Sequence, residues 1–317
     1  TIIAATIGIL FSFQTFSQTY LAQAKPMGSD NWGYIDIKGE FVIEPQYTNC
    51  QAFSQDGFAP IYDKKAKTFY FIRADGSKLK TDVEKFKLQN IFGFGTKGFS
   101  EGMVPFQEGK KWGYLNSEGK TVIDAKYDKA LEFNNGHGIV KSGNEFFIID
   151  KKGTTYKIEV DGLEDVRTFS EGLAPYRAND LWGFINEAGL VIVNAKYKGV
   201  GYMNNGLAWA KDDAGKVGFV NAKGEMKIEA KYEAAKDFSD GIARVKSGSW
   251  SFVDASGNSM TPPAADSYGA FSNGMAYAKK DEKVGFIGKD GKWIIEPTFD
   301  RVRDFNNGFA AARQGDK

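Results

Sequence analysis

The chain has 317 residues, 42% hydrophobic and 15% aromatic with only eight prolines, so core material is ample and the composition is not that of a disordered protein. Its 41 basic and 40 acidic side chains nearly cancel and are interspersed, which disfavours a nucleic-acid groove or an anionic-membrane patch, since both need clustered Lys and Arg. The single cysteine, Cys50, excludes an intrachain disulfide framework, and the single histidine, His137, excludes zinc sites built on two or three histidines.

An apolar run from Ile2 to Phe13 opens the chain, followed by polar spacing and the small-x-small triplet Ala22-Gln23-Ala24. This predicts an export signal over residues 1–24, cut before Lys25 and lacking its usual basic start. Residues 25–31 then read as a linker, and residues 32–317 as one β domain that is secreted, periplasmic or held at the cell surface. A membrane anchor needs ~20 apolar residues, and Gln14 interrupts the run well before that. No cysteine follows the cleavage point to carry a lipid, so no membrane domain is expected after processing.

From Trp32 onward one phrase returns throughout. It reads Trp32-Gly33-Tyr34-Ile35-Asp36 with Gly39, Trp112-Gly113-Tyr114-Leu115-Asn116 with Gly119, and Trp182-Gly183-Phe184-Ile185-Asn186 with Gly189. Val217-Gly218-Phe219-Val220-Asn221 with Gly224 follows, and weaker copies end in Gly76, Gly153, Gly257 and Gly291; Trp250 and Gly285 hold repeat positions in two of them. A second phrase, Phe99-Ser100-Glu101-Gly102, runs in phase, and from Gly102 to Gly308 its glycines recur every 33 to 36 residues. A third marker is an aromatic after the first glycine: Tyr47, Tyr127, Tyr197, Tyr232 and Phe299. Eight units carrying several markers in register fix the architecture before any site is considered.

These residues resemble the WG-repeat (KWG repeat) family, and the resemblance covers the chain from Trp32 to its end. It implies a bacterial, β-rich repeat protein with no single biochemical activity. Three units depart from the pattern, with Tyr70, Phe147 and Ser251 in place of the glycine, and these are expected to be the less regular ones.

Within the unit from Tyr127, strands are predicted over 127–133, 138–141, 146–150 and 156–160. Asn135-Gly136, Gly143-Asn144 and Lys152-Gly153 supply the turn residues between them. No stretch keeps a 3.6-residue period over a helical length. The fold class is therefore all-β: eight units of ~35 residues forming a propeller-like ring of short antiparallel blades. The first unit begins with third-strand material and the last ends with second-strand material, so the two halves are expected to join as one composite blade. An open β-solenoid of stacked hairpins is the alternative.

The sequence offers little chemistry. Trp32, Trp112, Trp182 and Trp250 recur at one place in the unit, as inter-unit packing requires, whereas Trp209 and Trp293 lie off it and are the better ligand candidates. His137 is expected in a solvated turn, and Cys50 in a strand. Gly93-Phe94-Gly95-Thr96-Lys97-Gly98 has the letters of a dinucleotide loop, but the repeat's own turn follows where a helix is needed. Asp36, Asn116, Asp150, Asn186, Asn221 and Asp254 bring one oxygen each, which suits turn caps better than calcium. The insertion at residues 80–97 is the least repetitive segment, and Phe86, Phe92 and Phe94 on it are candidate contacts. No catalytic, cofactor or metal residues are assigned. The expected function is a non-catalytic binding scaffold for a protein or a surface glycan. The alternatives are a carbohydrate-active hydrolase or lyase, for which converging carboxylates would speak, and a structural spacer of the envelope.

Overall fold

The computed structural model describes residues 20–91, 95–305 and 309–315. Every regular element among them is a β-strand. Six successive four-stranded antiparallel sheets lie between Lys87 and Phe299. In the fifth sheet of the molecule, for example, Leu163–Val166, Leu173–Ala178, Leu181–Asn186 and Val191–Tyr197 pair side by side in chain order. Two less complete sheets come first. Strands β1 (Ala22–Ala24), β2 (Trp32–Ile35) and β3 (Phe41–Tyr47) form one, and β4 (Phe58–Asp63) pairs with β5 (Thr68–Arg73) in the other. Single bridges, Cys50 to Ile61 and Ile72 to Lys78, extend the second sheet on both sides. A final pair, Arg301–Val302 with Ala312–Arg313, follows the eighth sheet.

The sheets are the blades of a β-propeller, and the core lies between them. Seven hydrophobic clusters each join one blade to the next. The aromatic two residues after the repeat tryptophan makes that joint: Tyr114 meets Phe133 of the following blade at 4.9 Å, and Phe219 meets Phe238 at 4.9 Å, both edge-on. Edge-to-face packing of fully buried rings stabilises such contacts beyond area burial alone.

The repeat glycine answers a backbone requirement. Trp112 pairs with Tyr127 but Tyr114 pairs with Ile123, so the fourth strand bulges outward opposite Gly113. A Cβ on Gly113 would lie 2.3 Å from the Ile123 carbonyl oxygen, and one on Gly183 2.2 Å from that of Val193. Gly33, Gly218 and Gly285 meet Ile43, Ile228 and Ile295 in the same way. The units with Tyr70, Phe147 and Ser251 have no such bulge. Their fourth strands shrink to the bridge at Lys78, to Thr155–Lys157 and to Ser259–Met260.

Three expectations are corrected. The composite blade is not formed: β1 pairs with β2, Ala22 opposite Ile35, Gln23 opposite Tyr34 and Ala24 opposite Gly33, in the place of a second strand. The final pair, Arg301–Val302 with Ala312–Arg313, bonds only to itself among the described residues. Phe86 is core, only 3% exposed and stacked on Phe71 at 6.0 Å, because Lys87–Leu88 beside it is the first strand of the third blade. Finally, His137 begins a strand, His137–Ser142, instead of lying within the turn. Within the insertion Asn90–Ile91 pairs antiparallel with Gly95–Thr96, and Phe92 and Phe94 lie outside the described residues. No helix follows Gly98. Residues 1–19 of the expected export segment lie outside the described residues, while Leu21–Ala24 belong to the first blade.

Candidate functional site

Residues just before the Phe-x-x-Gly turn differ from blade to blade, and several of them are charged. Lys97 pairs with Glu132, and Lys129 Nζ with Asp165 at 3.3 Å, each across a blade boundary. Arg167 Nη1 donates to the Val200 carbonyl at 3.0 Å, while its guanidinium lies 3.7 Å over the Trp182 ring. The Tyr202 N–H donates to Asp237 Oδ1 at 3.0 Å. Trp209 bonds the same carboxylate through its side chain. Gly201 makes room for this contact: a Cβ there would lie 1.9 Å from Asp237 Oδ1 and 2.3 Å from Trp209 Nε1. Trp209, expected at a ligand, is thus half-buried and engaged with the protein's own acid.

Burial pushes the Tyr202 phenol above its ordinary range; Arg167 opposes this, and Glu132, Asp237 and Asp165 add to it. One tyrosine therefore stands among charges from three blades. Burial likewise raises the Asp237 carboxyl, opposed by the Tyr202 N–H and by Arg167. Burial also raises Asp304, where Arg244 opposes it. A raised carboxyl favours the folded state only while protonated. Its contribution is complete below the ordinary carboxylate range near pH ~4 and is lost as pH rises through the raised folded value. Asp237→Asn keeps an acceptor for Tyr202 and removes the buried charge. We expect it to raise Tm at pH 7 and to lose that advantage below about pH 4, by calorimetry across pH.

The turns themselves form a girdle on one face. Glu101 and Gly102 both have positive φ, +53° and +76°, and Ser100 and Met103 exchange both backbone hydrogen bonds across them, as in a two-residue type I′ hairpin. The left-handed residue then reaches the next blade. Glu101 accepts from the N–H groups of Asn135 and Gly136 at 2.7 and 2.8 Å, and Glu171 from those of Asn205 and Gly206 at 2.8 Å each. Asn135 and Asn205 pass the link on to Gly172 and Gly241. Ser100, Ser170 and Ser239 donate to the carbonyls of Phe133, Met203 and Phe271. Glu171→Ala frees two N–H groups at the rim, and the expected loss is about 1 kcal/mol in denaturant titration.

Beside the girdle, Asn186 Oδ1 accepts from Ala188 and Leu190 N–H at 3.1 and 2.9 Å, and Asp36, Asn116, Asp150, Asn221 and Asp254 repeat the pattern. These oxygens are turn caps. Between the fourth and fifth blades the face opens into a groove of about 480 Å³, lined by His137, Tyr156, Gly172 and Asn186 to Ala188. His137 Nδ1 is 3.0 Å from the Asn135 carbonyl, and Tyr156 is 52% exposed. Cys50, by contrast, is buried in the core between the first two blades, far along the chain from His137.

The outer strands present a different surface. In four blades the residue left unpaired at a second register shift, just past the one opposite the glycine, points outward: Val42, Val122, Ile192 and Ile294 are 48, 42, 41 and 57% exposed, while Lys227 takes this place in the sixth blade. Lys126, Lys196 and Lys231 lie 5.2 to 5.4 Å from the rings of Tyr127, Tyr197 and Tyr232 on the same strands. Lysines on an edge strand oppose uncontrolled strand pairing. Trp32, Trp112 and Trp182 are half-buried against the inter-blade cores, and Trp293 packs similarly in the eighth blade. Tyr202, Asp237 and the exposed bulge residues were not singled out by sequence reasoning. The available cues were a tyrosine or acid just before the turn aromatic, and an aliphatic residue repeated beside the bulge.

A propeller whose blades set a glycine-bearing third strand against a bulged fourth strand is a repeat protein of one defined kind. The family model for the WG containing repeat matches residues 32–64, 112–146, 147–182, 182–216, 218–249, 250–283 and 285–317, and the chain belongs to that family. The model finds seven repeats where eight were expected, passing over the unit with Tyr70. Among curated protein sequences none matches the chain. Among solved structures, a eukaryotic initiation factor is similar at a TM-score of 0.60 and 12% identity, over 90% of this chain and 87% of that one, which shows a shared fold. The WD40 β-propeller domain of Doa1 matches at 0.35 and 13% identity, over 76% and 92%. BamB from Moraxella catarrhalis matches at 0.41 and 14% identity, over 74% and 77%.

Proposed function

We propose that this protein is an exported, non-catalytic scaffold that binds another protein along its outer strands. The observation that carries this reading is an exposed aliphatic side chain at the fourth-strand irregularity of four blades, the first, third, fifth and eighth: Val42, Val122, Ile192 and Ile294. Aliphatic groups on a rigid rim offer a partner apolar contact, and Lys126 and Lys196 on the strands of Val122 and Ile192 add register. Exposed apolar surface of this kind marks interaction sites in soluble proteins. The test is an affinity capture from the envelope fraction with the unaltered chain and with Val122→Asp/Ile192→Asp. A partner held by the first and lost from the second, at unchanged Tm, is expected; equal retention contradicts the reading.

A surface glycan is the second reading, and the groove beside Tyr156 favours it. An exposed aromatic ring among His137, Asn186 and Glu187 suits stacking on a sugar with polar contacts to its hydroxyls. A glycan array answers it: binding lost in Tyr156→Ala supports this site, and binding unaffected by that change removes it. For the catalytic alternative, the carboxylates near Tyr202 are the place to look. Each of them already has an internal partner: Glu132 has Lys97, Asp165 has Lys129, and Asp237 has the Tyr202 N–H.

A further inference from the structure

From the third blade to the eighth, the residue before the turn glycine alternates between an acid and an asparagine: Glu101, Asn135, Glu171, Asn205, Asp240 and Asn273. All of them are left-handed, with φ between 49° and 54°, as the first central residue of a type I′ turn must be. Asparagine suits that place, but Asn-Gly is also the dipeptide that modifies itself most readily, because glycine has no Cβ to crowd its nitrogen. The glycine nitrogen attacks the asparagine side-chain carbonyl carbon and loses its proton, ammonia leaves, and a succinimide ring closes. Water then opens the ring at either carbonyl, leaving aspartate or isoaspartate.

In this protein both reacting groups are held, and by different blades. The Asn135 N–H donates to Glu101 Oε1 at 2.7 Å and the Gly136 N–H to Oε2 at 2.8 Å, so one carboxylate of the third blade spans the dipeptide. Lys151 Nζ, 3.5 Å from that Oε2, steadies it from the fourth blade. The Asn135 side-chain oxygen accepts from the Gly172 N–H of the fifth blade at 3.3 Å. Asn205-Gly206 repeats the arrangement: Glu171 takes both N–H groups at 2.8 Å, and Asn205 Oδ1 accepts from Gly241 at 3.1 Å. At Asn273-Gly274 the glycine N–H donates to Asp240 Oδ2 at 2.6 Å. The nitrogen is thus tied to the preceding blade and, at Asn135 and Asn205, the carbonyl to the following one. A proton bonded to a carboxylate is among the more firmly held, and its loss would set two negative charges side by side. The asparagines are nonetheless exposed, so water reaches each turn.

We propose that Asn135-Gly136 and Asn205-Gly206 are self-modification sites gated by the blades on either side, held unreacted while the girdle is closed and released to form succinimide when adjacent blades part. Glu101 and Glu171 are the positioning residues that keep each glycine nitrogen from its neighbour's side chain. The products differ from the starting turn. Aspartate at 135 sets a second carboxylate beside that of Glu101. Isoaspartate adds a carbon to the backbone of a turn across which Asn134 and His137 exchange both backbone hydrogen bonds. One parting of the blades therefore leaves a lasting chemical mark at the joint where it happened.

The test is the rate of deamidation at each site, read by peptide mapping and mass spectrometry on the folded full chain kept in mildly alkaline buffer. Glu101→Ala should speed conversion of Asn135 at least about fivefold, while Asn205 in the same chain keeps the rate it has in the unaltered protein. Glu171→Ala should shift the gain to Asn205. Global unfolding would speed both sites alike, so the comparison within one chain separates the gate from a loss of stability. Glu101→Gln leaves a single side-chain acceptor and should give an intermediate rate, and it decides the matter if Glu101→Ala does not fold. No selective gain at Asn135, or a slower rate there, would overturn the proposal. So would an unaltered chain that already converts as fast as the free peptide Phe133-Asn134-Asn135-Gly136-His137.

Discussion

Gly183→Ala is expected to destabilise the protein by about 3 kcal/mol in denaturant titration. The position is extended strand, so no positive φ is at stake, and the whole effect is a collision. The new methyl would sit 2.2 Å from the Val193 carbonyl oxygen and 2.8 Å from the Ala195 nitrogen. Both are backbone atoms held by the bulge, and no side-chain rotation relieves them. The contrasting variant is Gly136→Ala, where φ is +78° and nothing lies within 4 Å of the added Cβ. That change meets only left-handed strain, about 1–2 kcal/mol. A Gly183→Ala chain no less stable than Gly136→Ala would mean that the bulge does not demand glycine.

Phe219→Ala should cost about 3–5 kcal/mol, the range for emptying a fully buried aromatic site. Phe219 is 0% exposed, and its ring meets Phe238 edge-on at 4.9 Å across the boundary between the sixth and seventh blades. Its loss opens a cavity between blades, where strand pairing cannot compensate because among the described residues no strand of one sheet pairs with a strand of the next. Phe219→Leu keeps most of the volume and should cost less than about 1.5 kcal/mol. Equal losses for the two substitutions would place the stabilisation elsewhere than in this joint.

Much of the fold was legible because each repeated letter marks a backbone condition. Gly113 and Gly183 mark a collision avoided, Glu101-Gly102 a type I′ turn, and Tyr114 and Phe219 the aromatic that reaches the next blade. What escaped was set by position in space. Spacing shows that residues 80–97 are extra but not which of them the sheet absorbs, so Phe86 passed for a loop aromatic when it is core. Ala22-Gln23-Ala24 satisfies a cleavage pattern and a strand pattern at once, and only the pairing with β2 shows the second. The cluster around Tyr202 departs from the repeat, so periodicity passes over it. Its members come one or two from each of four consecutive blades, the fourth to the seventh, and only the packing of those blades brings them together.

The central claim is that successive WG units pack side by side around one axis. Small-angle scattering of the chain in solution measures this directly. A compact propeller of this length predicts a radius of gyration near ~19 Å with a globular profile. A markedly larger value with a rod-like profile would mean that the units stack in a line, and would contradict the account.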